Sequence, residues 1–494
     1  MALLRNIHGD PRIVVQTFNL RSLVRPPAVL LIVLVVVSTG CIAARRDPNL
    51  HKIFSRARTT TGKRPVIIIP GILGTELINT KTKETVWPTP FRTSQEALPM
   101  NPDLSLNTDD LVPGKIVETV KLGRVLPEVY VYRDLLYALR NYVGFRDGNW
   151  ETPAPDGDKD TFYVFSYDWR KDNVANAREL VKRVALLKQK LGRPDLRFNV
   201  VAHSMGGLIA RYAAMYGDAD LSSNENIQPT WAGAIHINEI VMIGVPNEGS
   251  ADAFATLLEG YSITEGLRRR VPLLNKLTAE DAITAPAVFQ LLPHRDAVRF
   301  LGEDLQPIAI DLYDAAVWKK YGWSPIYDPE FRRKHSESRE ERLGNGFADD
   351  SSNSLDQYLE ATLKRTRRFH EALDAAGPVQ SPVMLLAIGG DCEETFNSPV
   401  ILRDEKRNRW ITLTRPREYR SSTGVKYSKR QVTDAMYAPG DGRVTRTSLL
   451  GMNGGSLNLS LAYSVFGCDL HGQLQRNKTL QDNALSAIVA EVMK

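Results

Sequence analysis

Three side chains, in the order Ser204, Asp441, His471, offer this sequence its clearest chemistry. Ser204 lies in VVAHSMGGLIARY (200–212), where an apolar run breaks into a small polar turn and resumes as an apolar helical pattern. A nucleophile elbow needs small residues two before and two after its serine, because strand and helix cross closely there. Ala202 and Gly206 occupy those positions, and alanine in place of the usual glycine adds only a methyl group. The bland alternative makes Ser204 an N-cap. Two glycines opening a helix would then cost stability unless close packing demands them.

A serine hydroxyl attacks a carbonyl only when a base takes its proton and an acid orients that base. On a strand–elbow–helix scaffold the chain order is serine, acid, histidine. His8, His51 and His203 precede Ser204, and the His203 side chain is expected to diverge from it. Of the histidines that follow, His236 sits at a strand start, and His294, His335 and His370 fall in an inserted region. His471, in CDLHGQLQRN, alone follows every strand candidate. Asp441 lies between two glycines in APGDGRV, where a loop carboxylate can reach an imidazole, and Asp391 is the substitute acid. The oxyanion would be held by two backbone amides. One is Met205, directly after the serine; the other is Ile72 in PGILG, where Gly71 allows the turn.

The elements that must position these groups read as an α/β succession. RPVIIIPGILGTEL opens with a continuous apolar, β-branched run, the mark of a strand buried on both faces. Residues 161–169, 197–202, 237–246 and 382–390 are similar, and 173–192 has helical spacing closed by Gly192. We expect an α/β-hydrolase fold, a doubly wound and mostly parallel sheet, over residues 65–494. Two stretches do not fit the sheet and are expected to form a lid at about 88–135 and a helical cap at about 251–380. The charged tract at 331–354 reads as solvated surface.

Composition narrows the classes. With 494 residues, 43% hydrophobic and 24% charged, the chain can bury a sizeable core. The first 40 residues hold four arginines against Asp10, half of the net +6, so the body is near-neutral and lacks a basic face for nucleic acid. Residues 1–40 read as a signal peptide or signal anchor, with an apolar core from Ala28 to Val37. Ser38-Thr39-Gly40-Cys41 resembles the lipobox of bacterial lipoproteins, with Ser38 where leucine is usual. Residues 41–64 read as a basic tether, so we expect an exported protein at a membrane surface: a lipoprotein, or else secreted or signal-anchored. Cys392 and Cys468 then remain as one candidate disulfide near the carboxyl edge of the sheet. No His/Cys cluster has metal-ligand spacing, and no cofactor is implied.

The blocks PVIIIPGILGTEL, SYDWR, VAHSMGG, GVPNEGS, GDGRV and LHGQLQRN stand in the order found in the lecithin:cholesterol acyltransferase family. Over residues 65–477 the sequence resembles that family, which includes lysosomal phospholipases and phospholipid:diacylglycerol acyltransferases. The resemblance implies a serine acyl hydrolase or acyltransferase acting on lipid esters, with a glycerophospholipid the expected substrate. It gives Ser204, Asp441 and His471 the triad roles and Ile72 with Met205 the oxyanion roles. Trp87 resembles a tryptophan near the family's first lid, although the cysteine pair that closes that lid has no counterpart here. Asp168 and Arg170, within SYDWR, read as a structural ion pair. Two other readings stay open: a general secreted carboxylesterase or triacylglycerol lipase, and a catalytically inactive hydrolase fold serving as an envelope binding protein.

Overall fold

Strand β1 (Val66–Ile69) is apolar at every position because both of its faces are covered. Val66 and Ile68 enter the core on one side of the sheet, Ile67 and Ile69 the core on the other. The same alternation runs through the other central strands, and it explains their lack of a polar face. The computed structural model describes residues 47–89, 98–100, 110–120, 129–222, 227–262, 276–295, 298–343, 351–376, 381–451 and 460–493. The expected leader at 1–40 and Cys41 lie outside them.

Six further strands complete a seven-stranded sheet: β2 (Arg146–Asp147), β3 (Thr161–Val164), β4 (Phe198–His203), β5 (Ile237–Ile243), β6 (Met384–Gly390) and β7 (Leu461–Gly467). The order is β7-β6-β5-β4-β1-β3-β2, and every pairing is parallel. Five of these strands are legible in the sequence. The edge strands β2 and β7 are not, since β2 is two exposed residues and β7 is only partly buried. Register sets the site. Ile69 is level with Ala202, His203 with Ile243, Ile243 with Ile388, and Gly390 with Gly467. The loops leaving these strands therefore share one carboxyl edge, where open parallel sheets bind ligands.

Helices cover both faces. On one side lie α2 (Asn173–Lys190) and α3 (Met205–Tyr216); on the other lie α1 (Arg133–Asn141) and α4 (Lys478–Met493). Helix α2 starts where the sequence predicts it, with the Asp172 side chain accepting from the Ala175 amide.

Two boundaries differ from the expectation. The tether at 41–64 is not one throughout, because Leu50–Ile53 and Ser55–Thr59 are short helices. Leu50, Phe54 and Ala57 are buried in the core beside α1 and α4. Leu50, Phe54 and Ala57 do stand at helical spacing, a stripe that the basic residues around them obscure. Of the basic residues there, Lys63 is paired with Asp160 at 2.8 Å and Arg64 with Glu491 at 2.8 Å. The cap also exceeds 251–380. The hairpin Val400–Asp404/Arg409–Leu413 pairs with Phe300–Leu301, so a second excursion after β6 completes it. The described part of the expected lid is mostly short β-structure: Leu111–Ile116 pairs with Thr75–Asn79, and Thr119–Val120 with Val129–Tyr130. Of the charged tract, Pro329–Leu343 forms a helix with ion pairs Arg333–Glu337 and Arg332–Asp356. No helix among the described residues is long and apolar enough to cross a membrane.

Candidate active site

Ser204 is the hinge between β4 and α3, with φ 52° and ψ −128°. A serine in that region is strained, and only surrounding packing can hold it there. The packing is specific. A Cβ on Gly206 would lie 2.5 Å from the Pro70 carbonyl oxygen, and one on Gly207 2.1 Å from a Val245 methyl. Close packing thus demands both glycines. Ser204 makes no capping bond to α3, so the helix-cap alternative fails.

The loop after β1 lies against the elbow. A Cβ on Gly71 would come within 2.8 Å of the Ser204 Cβ. Four aromatic side chains bind this loop and its continuation. Tyr167 Oη donates to Pro70 O at 2.7 Å, Gly71 N to Tyr132 Oη at 2.8 Å, Trp87 Nε1 to Leu73 O at 2.9 Å and Trp169 Nε1 to Thr75 O at 3.2 Å. Beneath them Asp168 and Arg170 form a buried two-point pair at 2.7 and 3.0 Å, and Arg170 also reaches Leu98 O. That is a structural role. Among the described residues, neither the Ile72 nor the Met205 amide donates a hydrogen bond, and Met205 opens the twelve-residue α3.

Asp441 and His471 meet at the same edge. Tyr437–Gly440 pairs antiparallel with Glu393–Phe396, which returns the chain from the second excursion to the end of β6. Asp441 follows, with Oδ1 accepting from the Val444 amide at 2.7 Å and the Arg443 amide at 3.0 Å. Its Oδ2 lies 2.8 Å from His471 Nδ1. Two glycines leave room for this pair. A Cβ on Gly390 would stand 2.8 Å from the Asp441 Cβ, and one on Gly244 3.0 Å from His471 Nδ1. Cys392 and Cys468, which follow β6 and β7, are joined in a disulfide. Asp391, the substitute acid, pairs instead with Arg446 at 3.3 Å. His294 and His370 are buried in the cap, and His236 contacts Lys188.

Ser204 and His471 line one cavity with Ile72 and Leu73, and its far wall is mostly apolar: Ala253, Leu277, Val288 and Leu291. Arg443 closes one side, bonded to Asp252 at 2.6 Å and lying 4.4 Å over the Tyr261 ring. Beyond Arg443 and Tyr261 a second cavity opens, lined by the polar groups of Glu259, Glu393, Glu394, Thr414 and Arg415. The sequence reading missed Arg443 and Tyr132: Arg443 stands in the GDGRV block, but its reach to Asp252 and Tyr261 is not local, and Tyr132 comes from a separate loop.

An elbow serine beside an apolar cavity makes the comparison with known proteins informative. The lecithin:cholesterol acyltransferase family model matches residues 158–358. The match takes in β3, α2, β4, the elbow and the first part of the cap, and stops short of Asp441 and His471. A chain from the crystal structure of the Tle4–Tli4 complex aligns over 87% of this protein and 99% of its own length, with 16% identity and TM-score 0.51. At that identity the likeness is one of fold. The mature form of the Bacillus licheniformis lipase BlEst2 aligns over 86% and 92% of the two chains, at 11% identity and TM-score 0.32. None of the curated proteins matches the chain. Sheet, elbow and neighbour agree on the α/β-hydrolase fold.

Proposed function

We propose that the protein is a serine acyl hydrolase or O-acyltransferase acting on lipid esters, with a glycerophospholipid as substrate. One observation carries the reading: the strained Ser204 and the Asp441-held His471 face the same apolar cavity. Ser204 Oγ attacks the acyl carbonyl as His471 Nε2 takes its proton. The charge that develops on the carbonyl oxygen is held by the Ile72 and Met205 amides. The ester C–O bond then breaks, His471 returns the proton to the leaving alcohol, and an acyl-enzyme remains. Water or a second alcohol, deprotonated by the same histidine, takes the acyl group and frees Ser204.

The two cavities support an ester with an apolar and a polar end. Acyl chain carbons fit beside Leu277, Val288 and Leu291, and the alcohol portion fits on the polar side beyond Arg443. The match to the lecithin:cholesterol acyltransferase model supports the same class of substrate. The test has two parts. A fluorophosphonate probe is expected to label the wild type and not Ser204→Ala. Purified enzyme given mixed phospholipids and a long-chain alcohol is expected to release fatty acid or form a new ester. Failure of labelling, or equal turnover by Ser204→Ala, would overturn the reading.

The leader and its basic flank add a location. We infer export with retention at a membrane surface through a lipid on Cys41, where the substrate is concentrated. Fractionation checks it: the wild type is expected with membranes, and Cys41→Ser to be released or left with its leader uncleaved. Normal processing and salt-resistant membrane binding of Cys41→Ser would replace the lipid anchor with an uncleaved apolar segment at 28–44.

A further inference from the structure

His203, next to the candidate nucleophile, is buried, and its two ring nitrogens point to different loops. Nδ1 lies 2.8 Å from Tyr132 Oη, and Nε2 lies 3.2 Å from the His471 carbonyl oxygen. Tyr132, itself buried, also lies 2.8 Å from the Gly71 amide nitrogen. With a neutral ring these contacts admit one proton arrangement. The His471 carbonyl only accepts, so Nε2 carries the ring proton and Nδ1 accepts from Tyr132 Oη. The Gly71 N–H only donates, so Tyr132 Oη accepts from it.

We propose that Tyr132 and His203 are positioning residues, forming a directed hydrogen-bond chain that fixes the oxyanion loop relative to the backbone of His471. The proposal rests on the acyl-transfer reading above and gives roles to two residues that do not touch the reacting atoms. The chain starts one residue before Ile72, passes the residue before Ser204, and ends on the carbonyl of the candidate base. It therefore spans all three parts that must meet around one acyl carbon. Gly71 shows how close the fit is, since an added Cβ there would also lie 3.2 Å from His203 Nδ1.

The arrangement requires a neutral His203. Burial, reinforced by the His471 ring at a centroid distance of 4.8 Å, pushes its pKa down to about 3. The Tyr132 hydroxyl, its acidity suppressed mainly by burial, stays protonated. A cationic His203 would put a second charge beside His471 whenever that base holds the serine proton. Neutrality keeps the chain a support and leaves His471 as the group that moves protons.

The test uses the full chain and a p-nitrophenyl ester of a medium-length fatty acid. Asn at 203 puts an amide where Nδ1 stands, within reach of Tyr132 and short of His471; Gln reaches the Nε2 position. His203→Asn and Tyr132→Phe are expected to lower kcat by about tenfold or more with KM within about threefold, as misplacement around a bound substrate does. His203→Gln, which keeps the His471 link and breaks the Tyr132 link, is expected to match Tyr132→Phe within about threefold. Wild-type kcat in His203→Asn and Tyr132→Phe, or in His203→Gln, would overturn the proposal. Ser204→Ala separates the two claims. Its retained activity defeats the acyl-transfer reading, whereas a dead Ser204→Ala beside unaffected His203→Asn and Tyr132→Phe defeats only the chain.

Discussion

Asp441 holds His471 twice: its carboxylate Oδ2 lies 2.8 Å from the ring Nδ1, and its carbonyl accepts from the His471 amide at 2.7 Å. The ring and the backbone of the histidine are thus fixed to one residue. That residue is fixed in turn by the Arg443 and Val444 amides on Oδ1. Orientation of an imidazole needs this kind of redundancy, because rotation about its side-chain bonds would swing Nε2 away from the serine.

Asp441→Asn keeps the shape and removes the acceptor that fixes the Nδ1–H tautomer. Its kcat on an ester substrate is expected to fall by about 10³ to 10⁴, the range typical of the acid in such triads. Asp391→Asn, at the end of β6 but paired with Arg446, is expected to stay within about threefold. Steady-state rates of the two variants decide between them, and a reversed ranking would move the acid to Asp391.

The disulfide Cys392–Cys468 closes a separation of 76 residues and ties the ends of β6 and β7 three residues before His471. Loop-closure entropy for that length corresponds to about 4 kcal/mol. Reduction, or Cys392→Ser with Cys468→Ser, is expected to lower Tm by several degrees and kcat more than KM. Thermal melts with and without dithiothreitol, with rates on the same samples, check it; an unchanged Tm and rate would show that the disulfide does not hold the histidine loop.

Gly244 has φ +58° and lies under the His471 ring. An alanine there meets the Leu474 side chain at 2.9 Å and His471 Nδ1 at 3.0 Å, and its backbone strain adds about 1 kcal/mol. Gly244→Ala is expected to reduce kcat by about tenfold or more through displacement of the imidazole. Gly424, also at positive φ but with open space around it, is the control, and Gly424→Ala is expected to leave kcat unchanged.

Stability should fall in acid. In the unfolded chain an imidazole takes its proton near pH 6.5, whereas burial holds His203 unprotonated down to about 3 and His370 well below its ordinary value. Between those limits the unfolded state binds more protons. Each histidine then removes about 1.4 kcal/mol per pH unit below 6.5. Glu239 acts in the opposite sense: burial raises its pKa to about 7, so between pH 7 and 4.5 it favours the fold as pH drops. Two histidines outweigh one carboxyl. Tm is expected to decline from pH 6.5 to 4.5, less steeply in His203→Asn and more steeply in Glu239→Gln. A flat profile in the wild type would contradict the buried neutral histidines.

The sequence by itself determined the scaffold and the elbow that presents the candidate nucleophile. Strands covered on both faces are predominantly apolar, so β1, β4, β5 and β6 announce themselves, and the crossing at the elbow tolerates only small residues around Ser204. Both are local demands, written in neighbouring positions. Chain order on that scaffold also singled out Asp441 and His471. Tertiary structure decided what depends on distant segments meeting. Asp441 reaches His471 because Tyr437–Gly440 pairs with Glu393–Phe396, and Cys392 reaches Cys468 because β6 pairs with β7. The helices at Leu50–Thr59 pack because α1 and α4 offer them an apolar surface; Leu50, Phe54 and Ala57 carry helical spacing in the sequence, but their partners lie far along the chain. His203 carries the same lesson. Its position beside Ser204 is plain in the sequence, but its two partners lie 71 and 268 residues away, and only the tertiary fold brings them to its ring.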